Sequence, residues 1–199
     1  MWGKEYITIC LLALGHEKSK NVEMKTLIWI IGKPGSGKTT VGSILGKTSG
    51  TKHFSYGQLL KEAQPNPSLK GYSAEDREKV NEILVLASNS HHMIVVDGNP
   101  YAKIGFGFLG QVKKFFDSVT VVHLLMTDEA ALARLIDRNR EVLAHDGSSQ
   151  KDRVDNFNKN LLPLIVEYAT THSVFEIEVG DSAAKEVALS IMNFLATKN

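Results

Sequence analysis

The sequence predicts an α/β fold in which a five-stranded parallel sheet is flanked by helices, and three observations predict it. Apolar runs at 27–31, 93–96 and 119–125 have the continuous hydrophobicity of strands buried on both faces. The stretches between them repeat apolar residues at helical spacing. The first run passes directly into the glycine-rich turn Gly32-Lys33-Pro34-Gly35-Ser36-Gly37-Lys38-Thr39-Thr40, with a helical pattern behind it. Strands that alternate with helices pair in parallel, because the crossover returns each strand in the same direction.

The elements follow in order. A first strand over 27–31 leads to a helix from about 37 to 47. A short strand at 53–55 precedes a helix over 56–63, which Pro65 and Pro67 end. Residues 68–72 read as loop. Ser73 with Asp76 three residues on is a variant capping box, and it opens a helix whose stripe is Val80, Ile83, Leu84 and Ala87. A buried strand over 93–96 ends at Asp97, and another covers 119–125. Asp128 is expected to cap a helix carrying Leu132, Leu135 and Ile136 on one side. A polar segment runs over 139–152. A helix from about 154 to 168 contains Pro163, which marks a kink or junction. A strand over 174–179 and a helix over 183–195 complete the pattern.

Bulk properties narrow the function. The 199 residues fit one domain over 24–199, with 1–23 as a peripheral extension. Hydrophobic residues make up 43% and the formal net charge is +1, so no global field draws nucleic acid or an anionic membrane. No basic stripe interleaves with aromatic residues, which argues against a nucleic-acid partner. The apolar run Ile7–Leu14 is too short to span a bilayer, and Lys4 and Glu5 cancel where a signal peptide would be basic. The lone Cys10 suits a reducing compartment. A monomeric cytoplasmic protein is expected.

The chemistry starts from the glycine-rich turn, which fits G-x-x-x-x-G-K-S/T at every fixed position. Residues 32–40 would hold the polyphosphate of ATP with backbone N–H groups and the positive end of the following helix. Lys38 would reach the β- and γ-phosphates, and the Thr39 hydroxyl would be a ligand of Mg²⁺. Asp97, at the end of a buried strand, is a Walker B-like carboxylate for the same ion; a turn cap with Gly98 is the alternative. Arg134 and Arg138 share a helix face, Arg140 lies just beyond and Arg153 starts the next helix. Such arginines stabilise charge on a transferring phosphoryl group, or else pair with Asp137 and Glu141 as a solvated face. The segment 139–152, with Gly147-Ser148-Ser149, is a candidate lid or an ordinary surface loop.

Five blocks in order resemble the adenylate kinase-type nucleoside monophosphate kinases. The loop 32–40 is similar to that family's G-x-P-G-x-G-K-G-T, with Thr39 where glycine is usual. His53-Phe54-Ser55-Tyr56-Gly57-Gln58-Leu59-Leu60-Lys61 resembles H-x-S-T-G-D-L-L-R, and Asp97-Gly98-Asn99-Pro100-Tyr101 resembles D-G-F-P-R. Arg134 to Arg138 resembles R-L-x-x-R. Arg153, Phe157 and Pro163-Leu164-Ile165 are similar to R-L-x-x-Y-x-x-x-x-x-P-L-I. The resemblance covers roughly residues 25–199 and implies transfer from Mg·ATP to a nucleoside monophosphate, AMP first. By it, Lys38, Arg134, Arg138 and Arg153 are catalytic, and Ser55, Gly57, Lys61, Gly98, Tyr101 and Gln111 bind the acceptor.

The departures cluster on the acceptor side. Lys61 and Tyr101 stand where the family has arginines for the acceptor's phosphate, so one fork and one charge are lost. The acceptor-binding insert, about 56–90, is reduced. The short lid lacks G-R-x-D-D and leaves Arg140 or His145 to stand for its arginine. A kinase for a non-nucleotide small molecule, or a nucleotide-binding regulator without acceptor chemistry, are the alternatives.

Overall fold

The computed structural model describes residues 24–65, 72–98, 109–137, 149–180 and 182–198. The expectations for the extension 1–23, Tyr101, Arg138, Arg140, His145 and the lid residues 139–148 fall outside them. Five strands form one parallel sheet: β1 (Thr26–Gly32), β2 (Thr51–Ser55), β3 (Met93–Asp97), β4 (Ser118–Leu125) and β5 (Val174–Glu178). Their order is β2-β3-β1-β4-β5. β1 is therefore central, which is why Leu27 to Ile30 have no exposed surface.

The helices that flank the sheet include α1 (Lys38–Leu45), α2 (Tyr56–Ala63), α3 (Ala74–Ala87), α4 (Asp128–Asp137), α5 (Gln150–Asn156), α6 (Leu162–Ala169) and α7 (Ala184–Ala196). Alternate side chains of each strand point to opposite faces. Ile28, Ile30, Val95, Val122 and Leu124 pack against Val41 and Leu45 of α1 and Val187 and Ile191 of α7. Trp29, Ile31, Val96 and Val121 face α2, α3 and the α5–α6 segment through Tyr56, Leu60, Val80, Leu84, Phe157 and Ile165. No helix among the described residues is long and apolar enough to cross a membrane.

Several local readings hold in detail. The Ser73 Oγ accepts from the Asp76 N–H at 3.1 Å, and the Ser73 N–H donates to Asp76 Oδ2 at 2.9 Å. Such a cap contributes about 1 kcal/mol to the start of α3. Pro163 lies in the first turn of α6, where its missing N–H leaves no bond unmade. A π turn over Phe157–Leu161 joins α5 to α6 and turns Phe157 and Leu161 into the core.

Four readings need correction. Asp128 does not cap α4 but is its first residue; the Thr127 hydroxyl accepts the Ala130 N–H at 3.2 Å, and Asp128 is engaged elsewhere. Ile136 is 73% exposed, and Ala131 with Leu135 forms the buried side of α4 instead. Ile83 also lies toward solvent while Val80 and Leu84 carry α3's packing. The polar segment ends sooner than its composition implied, because Ser149 and Asp152 form a second capping box that starts α5 at Gln150.

Candidate functional site

The carboxyl ends of β1, β3 and β4 meet at one edge of the sheet, the edge where open α/β sheets bind ligands. Register fixes what meets there. Ile30 of β1 is level with Asp97 of β3, and Asp97 is level with Ser55 of β2. The loop 33–37 leaves β1 at this edge. At Gly32 (φ 151°) a Cβ would stand 2.7 Å from the Leu124 carbonyl oxygen, and at Gly35 (φ 86°) 2.7 Å from that of Ala131. A side chain at either position would push β4 or α4 away from the loop.

Lys38, the first residue of α1, folds over this loop. Its Nζ donates to the carbonyl oxygens of Gly32 and Lys33, each at 2.8 Å. Burial lowers its pKa from 10.5 to about 8, opposed by the Asp97 charge and assisted by the Arg153 charge. A lysine this desolvated and ringed by carbonyl dipoles is a ready electrostatic partner for phosphate.

Beside it, Thr39 Oγ1 donates to Asp97 Oδ1 at 2.9 Å. The other carboxylate oxygen, Oδ2, lies 2.8 Å from His53 Nε2. Asp97 is 3% exposed, so its position is set by these two partners. A hydroxyl and a carboxylate oxygen side by side form a hard-oxygen pair that fits Mg²⁺ with the remaining positions left to water and phosphate. His53 is a residue that sequence reasoning quoted only within a motif. Its seat depends on Gly42 of α1, where a Cβ would collide with the imidazole. A glycine inside a helical pattern facing a strand histidine was the available signal.

The arginines divide. Arg153 on α5 comes close enough to depress the Lys38 pKa, and it is steadied by Gln150, whose Oε1 accepts from Nη1 at 3.1 Å. Arg134 on α4 donates instead to the main-chain carbonyls of Val179, at 3.2 Å, and of Gly180, tying α4 to the connection after β5. On the opposite side, Gly57 lies in the first turn of α2 and Lys61 is exposed further along it. The Gly98 carbonyl (φ 132°) accepts from Trp29 Nε1 at 2.7 Å. Gln111 is exposed on a short helical segment anchored by the buried Leu109 and Val112.

A network absent from the sequence reading holds the loop from below. Lys33 Nζ lies 2.6 Å from Asp128 Oδ1 and donates to the Met126 carbonyl at 2.8 Å. Asn158, in the π turn, donates to Asp128 Oδ2 at 2.8 Å. The hydrogen bonds from Lys33 and then Asn158 hold the Asp128 carboxyl below the usual range. A folded pKa below the unfolded one stabilises the fold above the unfolded value, and this is lost as pH falls through the folded value. The pair is partly exposed, so screening limits it to about 0.2–1 kcal/mol. Asp128→Asn is expected to lower Tm by about 2–4 °C at pH 7. The gap should close as pH falls below about 4; a gap that persists in acid would assign the loss to packing.

Comparison with known proteins agrees with this geometry. A family model described as "AAA domain" matches residues 31–150, more than half of the chain. The adenylate kinase of Synechococcus sp. (strain WH7803) is 30% identical over 175 residues, covering 80% of this chain and 93% of that protein. The adenylate kinase of Sulfurovum sp. (strain NBC37-1) is 26% identical over 197 residues, covering 88% and 100%. Among solved structures, shikimate kinase from Acinetobacter baumannii in complex with shikimate shares the fold. It has a TM-score of 0.59 at 21% identity and covers 89% of this chain and 96% of that one. A phosphate-binding loop at the centre of a parallel sheet, with relatives matched nearly end to end, places the chain in the P-loop kinases of the adenylate kinase family.

Proposed function

We propose that the chain transfers the γ-phosphoryl group of Mg·ATP to a nucleoside monophosphate, with AMP the first acceptor. The observation that carries the reading is the Thr39–Asp97 hydrogen bond of 2.9 Å beside the half-buried Lys38. The residues at 32–40 would hold the donor's phosphates, and Thr39 with Asp97 would hold magnesium. That ion would neutralise charge on the phosphates when bound. Lys38 and Arg153 would stabilise charge on the equatorial oxygens of the group in flight, with Arg138 joining them and Arg134 fixing the connection after β5. An acceptor phosphate already carries its nucleophilic oxygen, so positioning matters more than a general base. Ser55, Gly57, Lys61, Gly98, Tyr101 and Gln111 would frame the acceptor. The reading includes a monomer working in the cytoplasm.

Relatives named adenylate kinase support the nucleotide acceptor. The exposure of Lys61 favours a second reading, a small-molecule acceptor other than a nucleotide, because an exposed ammonium grips a phosphate weakly. The test is ADP formation from Mg·ATP with and without AMP, CMP, UMP, GMP and their deoxy forms. Stimulation by AMP of about tenfold or more over ATP alone is expected for a working acceptor site. Silence toward every nucleotide would pass the site to the second reading, and ATP binding without any acceptor would leave a nucleotide-dependent regulator.

A further inference from the structure

On the β2–β3 side of the sheet, α3 carries Arg77 and Asn81 four residues apart and therefore on one helix face. Both side chains are half-buried. Arg77 Nη1 and Asn81 Oδ1 are buried atoms with no hydrogen-bond partner. A buried donor and a buried acceptor left unpaired a turn apart are costly, and folds seldom keep such groups without a use. Asp76, its neighbour in the chain, has Oδ2 taken by the Ser73 hydroxyl and N–H, both at 2.9 Å, and meets Arg77 only through charge. Among the described residues Arg77 forms no salt bridge.

Position gives these groups a meaning. Val80, between Arg77 and Asn81 on the helix, packs in one cluster with Tyr56, and the Arg77 charge counters the rise in the Tyr56 pKa that burial causes. Tyr56 in turn stands against Trp29, ring centroids 5.3 Å apart, and against Gly98, where a Cβ would lie 3.0 Å from the tyrosine Cβ. Gly98 follows Asp97. The guanidinium thus lies near Tyr56, which itself packs against the residue that follows Asp97 at the strand-end edge. This is the side where exposed Lys61 offers only a point charge.

We propose that Arg77, with the Asn81 amide one turn on, receives the anionic group of the phosphoryl acceptor. The inference rests on the kinase reading above and names the acceptor's class within it, an oxyanion that also carries a hydroxyl or N–H. The planar fork of Arg77 suits a phosphate or carboxylate bidentately, and Asn81 Oδ1 takes the neighbouring donor. A nucleotide phosphate and the carboxylate of a hydroxy acid share this chemistry.

The test is calorimetric binding to the full chain saturated with Mg·ADP. AMP is titrated in one arm and gluconate in the other, for wild type, Arg77→Gln and Arg77→Lys. One anion is expected to bind wild type, to bind Arg77→Gln about 30-fold more weakly, and to be partly restored in Arg77→Lys. Mg·ADP affinity should stay within about twofold, since Arg77 touches only the acceptor side. Equal anion affinity in Arg77→Gln overturns the inference, as does an equal loss of Mg·ADP affinity, which would mean a structural role. Mg·ADP binding with neither anion bound overturns it while sparing the nucleotide half of the kinase reading. Loss of Mg·ADP binding by wild type would remove both.

Discussion

Replacing Lys38 by alanine is expected to lower kcat/KM about a thousandfold, the scale seen when a preorganised charge is removed from a phosphoryl-transfer site. The argument is geometric. The ammonium is buried, held at 2.8 Å by two carbonyls of the phosphate-binding loop, and flanked by Asp97 and Arg153. The fold should survive the change. Because the folded pKa of about 8 lies below 10.5, the unfolded chain binds more protons between these values. Wild-type stability therefore rises with pH across that window, and Lys38→Ala should lack this rise. Its Tm at pH 7 should be no lower than that of wild type. For wild type, kcat/KM should fall as pH passes about 8 and the free enzyme's lysine loses its proton. Bound phosphates favour the ammonium, so kcat should hold to higher pH. Unchanged turnover in Lys38→Ala would separate the loop from the reaction.

Asp97→Asn should cost about 10²–10³ in kcat. The substitution keeps the size of the side chain and a hydrogen-bond acceptor for Thr39, so the 2.9 Å contact can persist. The loss is the negative charge that would hold Mg²⁺ beside the Thr39 hydroxyl. The diagnostic measurement is the magnesium dependence of the rate, whose midpoint should move to higher concentration in Asp97→Asn. Thr39→Val should shift the same midpoint less, because a neutral hydroxyl contributes less than a carboxylate. A slow Asp97→Asn enzyme with wild-type magnesium dependence would make Asp97 a strand-end residue that serves His53 and Thr39 alone.

What the sequence disclosed was what depends on near neighbours. The loop 32–40, the strand ending at Asp97 and the Ser73–Asp76 cap each lie within a few residues, and spacing alone defines them. Asp128 was misread for the complementary reason. As a residue type it suits a helix cap, and only tertiary structure brings Lys33 and Asn158 to its two oxygens. Ile136 failed because an apolar residue near a stripe need not be in it once α4 is rotated to pack Ala131 under Gly35. His53 was visible in a motif but had no role until β2 and β3 came into register. Arg77 and Asn81 read as an ordinary polar helix face, since nothing local marks which polar atoms of a helix become buried. The π turn was legible only as Pro163; the extra residue it accommodates leaves no compositional trace.

The strand order has a consequence for how such a protein can change. With β1 in the middle, residues 51–97 build one flank of the sheet and residues 118–196 build the other, so the chain passes the centre once. Under the proposed reading, the residues that meet the acceptor, from Ser55 to Gln111, fall in a single uninterrupted stretch of sequence that begins with this flank. A recombination event exchanging that stretch would have to preserve one short strand register, from Thr26 opposite Met93 to Ile30 opposite Asp97, and the buried faces beside it. Acceptor choice can then diversify by exchange of a cassette while the loop 32–40 and Arg153 are inherited intact, provided the incoming strand still ends in the aspartate that meets Thr39. Under that reading, what can vary and what must stay are largely separated along the gene as well as in space.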